Sequence, residues 1–127
     1  MSLDEEKPES PEEKIQEAGP KQQENARQQF EEAAKTSAAE HGRVSLPEVS
    51  FSTFIFSLSS SVLVHLGEIP EPDSKNVHVD LAMAKQIIDT LGMLQEKTRG
   101  NLESDEERLL KSVLYDLRLR FVQKAGR

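Results

Sequence analysis

The sequence predicts an all-α fold: a small three-helix domain over residues 46–127, preceded over residues 1–45 by a disordered acidic, glutamine-rich tail. Three observations carry this. The larger hydrophobics are unevenly spread, and up to residue 46 they are only Met1, Leu3, Ile15, Phe30, Val44 and Leu46. Such a stretch cannot bury enough apolar surface to offset the entropy of ordering it. After it, apolar residues recur at helical spacing in three runs. Helix-start residues open those runs, and Gly67 and Gly100 close the first two.

The tail comes first. Pro8, Pro11, Gly19 and Pro20 sit among Glu and Lys, which argues against regular structure up to residue 21. From Gln22 to Glu40 the chain is rich in Gln, Glu and Ala, which are good helix formers. Its apolar content is Phe30 and alanines, so a transient helix has no stripe with which to dock. Gly42 breaks it.

The first domain helix is expected from about Leu46 to Leu66. Ser45-Leu46-Pro47-Glu48 has the form of a capping box, and Pro47 fits the first turn. From Phe51 to Gly67 there are 17 residues without a charge, among them five serines, one threonine and His65. Wound as a helix, Phe51, Phe54, Ile55, Leu58, Val62 and Leu66 share one broad face. Phe56 and Leu63 sit on a second face with Ser52 and Ser59. A membrane span needs ~20 mostly apolar residues, so a helix buried on more than one side fits better. About 80 residues make only a thin core. The second face therefore predicts a homodimer through Phe56, Ser59 and Leu63; the alternative is packing beneath the Glu68–Val79 loop of the same chain.

That loop is marked by Pro70 and Pro72. Asp80 caps a second helix, Leu81 to about Thr98, with a stripe of Leu81, Ala84, Ile87, Ile88, Leu91 and Leu94. Ser104-Asp105-Glu106-Glu107 caps a third, from about Asp105 to Lys124, with a stripe of Leu110, Val113, Leu114, Leu117 and Phe121, widened by Leu109 and Val122. The link between them is short, so they should be antiparallel neighbours.

Charge narrows the function classes. Residues 1–46 hold 11 acids and 6 bases, a net of −5, and the remainder nets −2, which makes the chain −7. There is no cysteine, so disulfides, thiolate metal sites and cysteine nucleophiles are excluded. The first 14 residues are acidic and lack a signal peptide's basic and apolar regions, so a cytoplasmic location is expected. No transmembrane span, cofactor or metal is expected.

Several strings resemble a known family. They are Phe51-Ser52-Thr53-Phe54-Ile55 and Val64-His65-Leu66-Gly67-Glu68-Ile69-Pro70, then Leu81-Ala82-Met83-Ala84-Lys85-Gln86-Ile87-Ile88-Asp89. Leu94-Gln95-Glu96-Lys97-Thr98-Arg99-Gly100-Asn101-Leu102, Glu106-Glu107-Arg108-Leu109-Leu110 and Leu114-Tyr115-Asp116-Leu117-Arg118 follow in order. Together, over about residues 49–122, they resemble the bacterial family catalogued as domain of unknown function 1844. The resemblance implies a small helical, cytoplasmic bacterial protein. It carries over no activity, cofactor or catalytic residue.

Chemistry-bearing constellations are sparse. His65 and Glu68, three apart at a helix end, could present two metal ligands, but a histidine capping a helix C-terminus is the plainer reading. His65, Asp89 and a serine could form a triad only without the Gly-x-Ser-x-Gly turn that presents such a serine. Lys97-Thr98 lacks the glycine-rich turn of a phosphate loop. Gly92 is an isolated helix glycine, which more often permits close packing than binds a ligand. From Arg108 to Arg127 six bases (Arg108, Lys111, Arg118, Arg120, Lys124, Arg127) face one acid, Asp116. That is an electrostatic footprint for RNA, or simply basic residues suited to a helix C-terminus.

These readings converge on a non-enzymatic interaction module with an unknown protein partner, self-associating through its first helix. His65, Glu68, Arg118, Arg120 and Lys124 are its candidate contact surface. The alternative is an RNA- or ribosome-associated accessory protein that uses Arg118, Arg120 and Lys124.

Overall fold

A computed structural model of the chain describes residues 17–41, 46–74 and 76–126. Among these the secondary structure is four helices: α1 (Pro20–His41), α2 (Phe51–His65), α3 (Leu81–Lys97) and α4 (Ser104–Ala125). The chain divides into two units, Met1–Ser45 and Leu46–Arg127.

Within the first unit, α1 is a regular helix of 22 residues that covers the Gln22–Glu40 stretch, where a transient helix without a docking stripe is expected. Pro20 opens it, at the position where a missing amide costs nothing. The Gly19 amide donates to Gln22 Oε1 at 3.0 Å. Arg27 pairs with Glu24 at 2.6 Å and with Glu31 at 3.9 Å. Its side chains from Pro20 to Glu40 are exposed, Phe30 included. Helix-forming composition and one-turn side-chain pairs hold it, with no buried stripe. The rest of the disordered-tail expectation, over residues 1–16 and 42–45, lies outside the described residues.

In the second unit α2, α3 and α4 each pack against the other two. The core is Ile55, Val62 and Leu66 from the first of these or its end, Ala84, Ile88 and Leu91 from α3, and Leu110, Leu114 and Leu117 from α4. Among the described residues no polar or charged residue is buried, and no buried polar side-chain atom lacks a partner. The three stripes fill one apolar centre, as expected of domain helices.

α2 begins at Phe51, five residues later than expected. Ser45 lies outside the described residues. The cap is Ser50, whose hydroxyl accepts from the Thr53 amide at 3.1 Å, while Thr53 Oγ1 accepts from the Ser50 amide at 3.0 Å. A second capping pair thus follows the Ser45–Glu48 string, and the helix takes the later one. Nothing rewards an earlier start, because Leu46 and Val49 find no core and stand exposed. The face is also narrower than expected. At 100° per residue Phe54 lies at the edge of the stripe centred on Ile55 and Val62, and it is 47% exposed.

The helix ends in a Schellman motif. The Glu68 amide donates to the Leu63 carbonyl at 2.9 Å and the Gly67 amide to the Val64 carbonyl at 3.0 Å. Gly67 takes φ +76°, in the left-handed region. The connection then leaves and returns, and the Asp80 amide donates to the His65 carbonyl at 2.7 Å. Asp80 next caps α3 by accepting from the Met83 amide at 3.1 Å.

α3 stops as expected, with Gly100 at φ +81°. The link of residues 98–103 turns the chain back. Residues 85–89 of α3 then line a depression with residues 118–122 of α4, and residues 95–99 line another with residues 107–111. The pair is therefore antiparallel. α4 is capped one residue earlier than expected: Glu103 is the N-cap, and Glu106 accepts from its amide at 2.9 Å. Asp105, Glu106 and Glu107 fill the first turn, where the helix dipole favours acids. Val122 does not widen the buried stripe; it is 65% exposed, one residue beyond the half-buried Phe121.

Candidate interaction surfaces

Two surfaces of the Leu46–Arg127 unit hold the residues of interest. The first lies on α2. Ser50, Thr53, Ser57 and Ser60 form a strip of small residues, with Phe54 on one side and Phe56 on the other. With Leu46, Pro47 and Val49 they border an open depression of about 530 Å³. Phe56 is 55% exposed and Phe54 nearly as much. Two of the four hydroxyls turn to the backbone: Ser57 Oγ donates to the Thr53 carbonyl at 3.0 Å, and Thr53 Oγ1 donates to the Glu48 carbonyl at 3.1 Å. Hydroxyls bonded to their own backbone lose less when covered, so the strip acts as a less polar surface than its composition suggests.

The three residues expected to mediate self-association share one face of α2 but differ in burial. Phe56 is exposed, Ser59 is half-buried, and Leu63 packs against the core of its own chain. Phe54 was assigned to the core face by periodicity and instead joins Phe56 at the surface. Its position at the stripe's edge was the available signal.

His65 and Glu68 sit at the α2–α3 corner. His65 is half-buried, and its carbonyl accepts the Asp80 amide; Glu68 is exposed, and its amide closes the Schellman motif. Their backbones thus build the corner. Among the described residues no group of three or more His, Asp or Glu is placed to hold a metal ion. No helix among the described residues is long and apolar enough to cross a membrane.

The second surface runs along α4. Arg120 is committed to Asp116, one turn away, at 2.8 Å. Lys124 is half-buried. Lys111 and Arg118 are exposed and make no ion pair among the described residues. Arg118 lies across α3 near Gly92: a Cβ built there would meet Arg118 Nη2 at 3.2 Å and nothing else within 4 Å. Gly92 therefore makes room for a guanidinium. Gly92→Ala is expected to raise stability by about 0.5–1 kcal/mol, since a mid-helix glycine costs that much in entropy and a flexible arginine tip can shift. A higher urea midpoint checks it; a lower one would mean the guanidinium is anchored against the helix.

The fold is that of a small all-helical domain. The chain belongs to the family described as Domain of unknown function (DUF1844), whose match covers residues 48–123. No curated protein and no solved structure matches it.

Proposed function

We propose that the Leu46–Arg127 unit is a non-enzymatic interaction module that self-associates through α2. The observation that carries this is the pair Phe54 and Phe56, each about half exposed on a helix with no charged residue. Exposed aromatics around a low-polarity strip are expensive to leave in water, and such patches mark interaction sites. The serine strip lets a second helix approach closely while the two rings pack beside it. Leu63 serves the core of its own chain, so the contact is assigned to Phe54, Phe56 and the strip between them.

The test is mass in solution across the micromolar range. The full chain is expected to sediment as a dimer. Phe56→Glu is expected to sediment as a monomer with unchanged helical circular dichroism, because the side chain it replaces lies outside the core. A wild-type monomer at high micromolar concentration would sink the reading.

The nucleic-acid alternative has less support. Of its three residues, Arg120 is ion-paired and Lys124 is half-buried, which leaves Arg118 as the exposed unpaired cation.

A further inference from the structure

We propose that the seam between α3 and α4 is a docking groove for an acidic amphipathic helix of a partner protein. Three depressions lie along this seam and share borders. Gln95 and Lys111 belong to the first two, Arg118 and Val122 to the second and third. They therefore form one continuous trough, from the turn at Gly100 to Lys85. Along α4 it runs from Glu107 to Val122, about 15 residues or ~22 Å of helix. That is room for four turns of another helix laid against the antiparallel pair, in the manner of a helix bundle.

The chemistry of the trough selects its occupant. Its floor is apolar: Ile88, Leu110 and Leu114 are buried there and Phe121 is half-buried. Its rim keeps apolar surface in water, with Tyr115 68% and Val122 65% exposed. A partner must bring an apolar stripe. On the rim Lys85 is held by Asp89 and Arg99 by Glu96. Among the described residues exposed Glu107, at the Gly100 end, makes no ion pair, and it is outnumbered by two exposed cations that likewise make none, Lys111 and Arg118. They lie seven residues apart, two turns, on either side of Tyr115. An incoming helix with carboxylates two turns apart beside an apolar stripe meets all three at once.

Other occupants match less well. Two free cations give few phosphate contacts, and a polyanion has no apolar stripe to lay on the floor of the trough. A second copy's α2 has no acid to offer between Phe51 and His65. The inference rests on the interaction-module reading but not on self-association, and the trough shares no residue with the α2 depression.

The experiment titrates the full isotope-labelled chain with a synthetic helical peptide of about five turns, bearing a leucine stripe with glutamates two turns apart along its edge. The same peptide with lysines for glutamates and a short oligouridine are run beside it. The acidic peptide is expected to bind saturably and to shift the resonances of Lys111, Tyr115, Arg118 and Val122. The double variant Lys111→Glu, Arg118→Glu should weaken it about tenfold or more and favour the lysine peptide. Phe56→Glu should leave binding unchanged, which separates a failure of this inference from a failure of self-association. The inference is overturned if the acidic peptide does not saturate, if the charge reversal has no effect, if the shifts fall on α2, or if oligouridine binds more tightly through Arg118.

Discussion

Leu91→Ala is expected to remove about 2–5 kcal/mol of stability, the range for truncating a fully buried leucine. Leu91 is 0% exposed and sits among the stripes of three helices. The loss combines the transfer energy of the missing atoms with a cavity that the close-packed surroundings only partly fill. A domain of about 80 residues has only ~4–12 kcal/mol in total. The variant should therefore show a much lower urea midpoint and begin to unfold without denaturant. Val122→Ala is the control. It removes atoms from the same kind of side chain at the surface and should stay within about 0.5 kcal/mol. Both belong at one protein concentration, since self-association would add to apparent stability. Equal midpoints for the two variants would show the core to be misplaced.

Gly67→Ala is expected to cost about 1–3 kcal/mol for a different reason. Gly67 holds φ +76°, and a side chain there costs ~1–2 kcal/mol by backbone sterics alone. An added Cβ would also stand 2.9 Å from Val79 Cγ2 and 3.3 Å from Val77 Cγ1. Gly100→Ala separates the two costs, because Gly100 has φ +81° with nothing within 4 Å of its would-be Cβ. The corner variant should melt lower than the Gly100 variant, and Val79→Ala in the same chain should restore part of the difference. If Gly67→Ala and Gly100→Ala melt alike, the valines give way freely and only the backbone term operates.

Legibility in the sequence varied by element, for physical reasons. α3 could be read almost to the residue: Asp80 is a good cap, Gly100 a good stop, and the stripe between them has one strong face. Its boundaries are local chemistry. α2 was harder. Two serine-led strings stand five residues apart, and the choice between them depends on whether Leu46 and Val49 find a core, which is a tertiary fact. Phe54 failed similarly. It belongs to the helical period, but a helix seated on two others buries only so much of its circumference. α1 is legible as helix-forming composition over Gln22–Glu40, and the pairs Arg27 makes with Glu24 and Glu31 are equally local. On α4 the bases were visible as a row, yet the sequence could not show that Arg120 is occupied by Asp116 while Lys111 and Arg118 border a trough. That distinction arises only once α3 lies alongside.

The strings that carry the family resemblance gain a physical meaning. His65-Leu66-Gly67-Glu68 contains a Schellman stop and a carbonyl that receives the Asp80 amide. In Thr98-Arg99-Gly100-Asn101-Leu102, Thr98 Oγ1 donates to the Leu94 carbonyl at 2.7 Å and the Asn101 amide to the Thr98 carbonyl at 2.8 Å. Both strings are instructions for ending one helix and aiming the next. A recognisable motif here marks a corner of the chain.

The hydrogen bond from the Asp80 amide to the His65 carbonyl makes the α2–α3 connection begin and end at one point. A second pinch, from the Glu71 amide to the Asn76 carbonyl at 3.0 Å, closes its tip. The contour of the excursion is thus uncoupled from the registration of the helices it joins. Closure entropy grows only with the logarithm of length, so doubling such a loop costs about 0.6 kcal/mol. The tip between these pinches is where this architecture can absorb insertions, and where a reporter or a new recognition segment could be grafted while the three helices keep their seats.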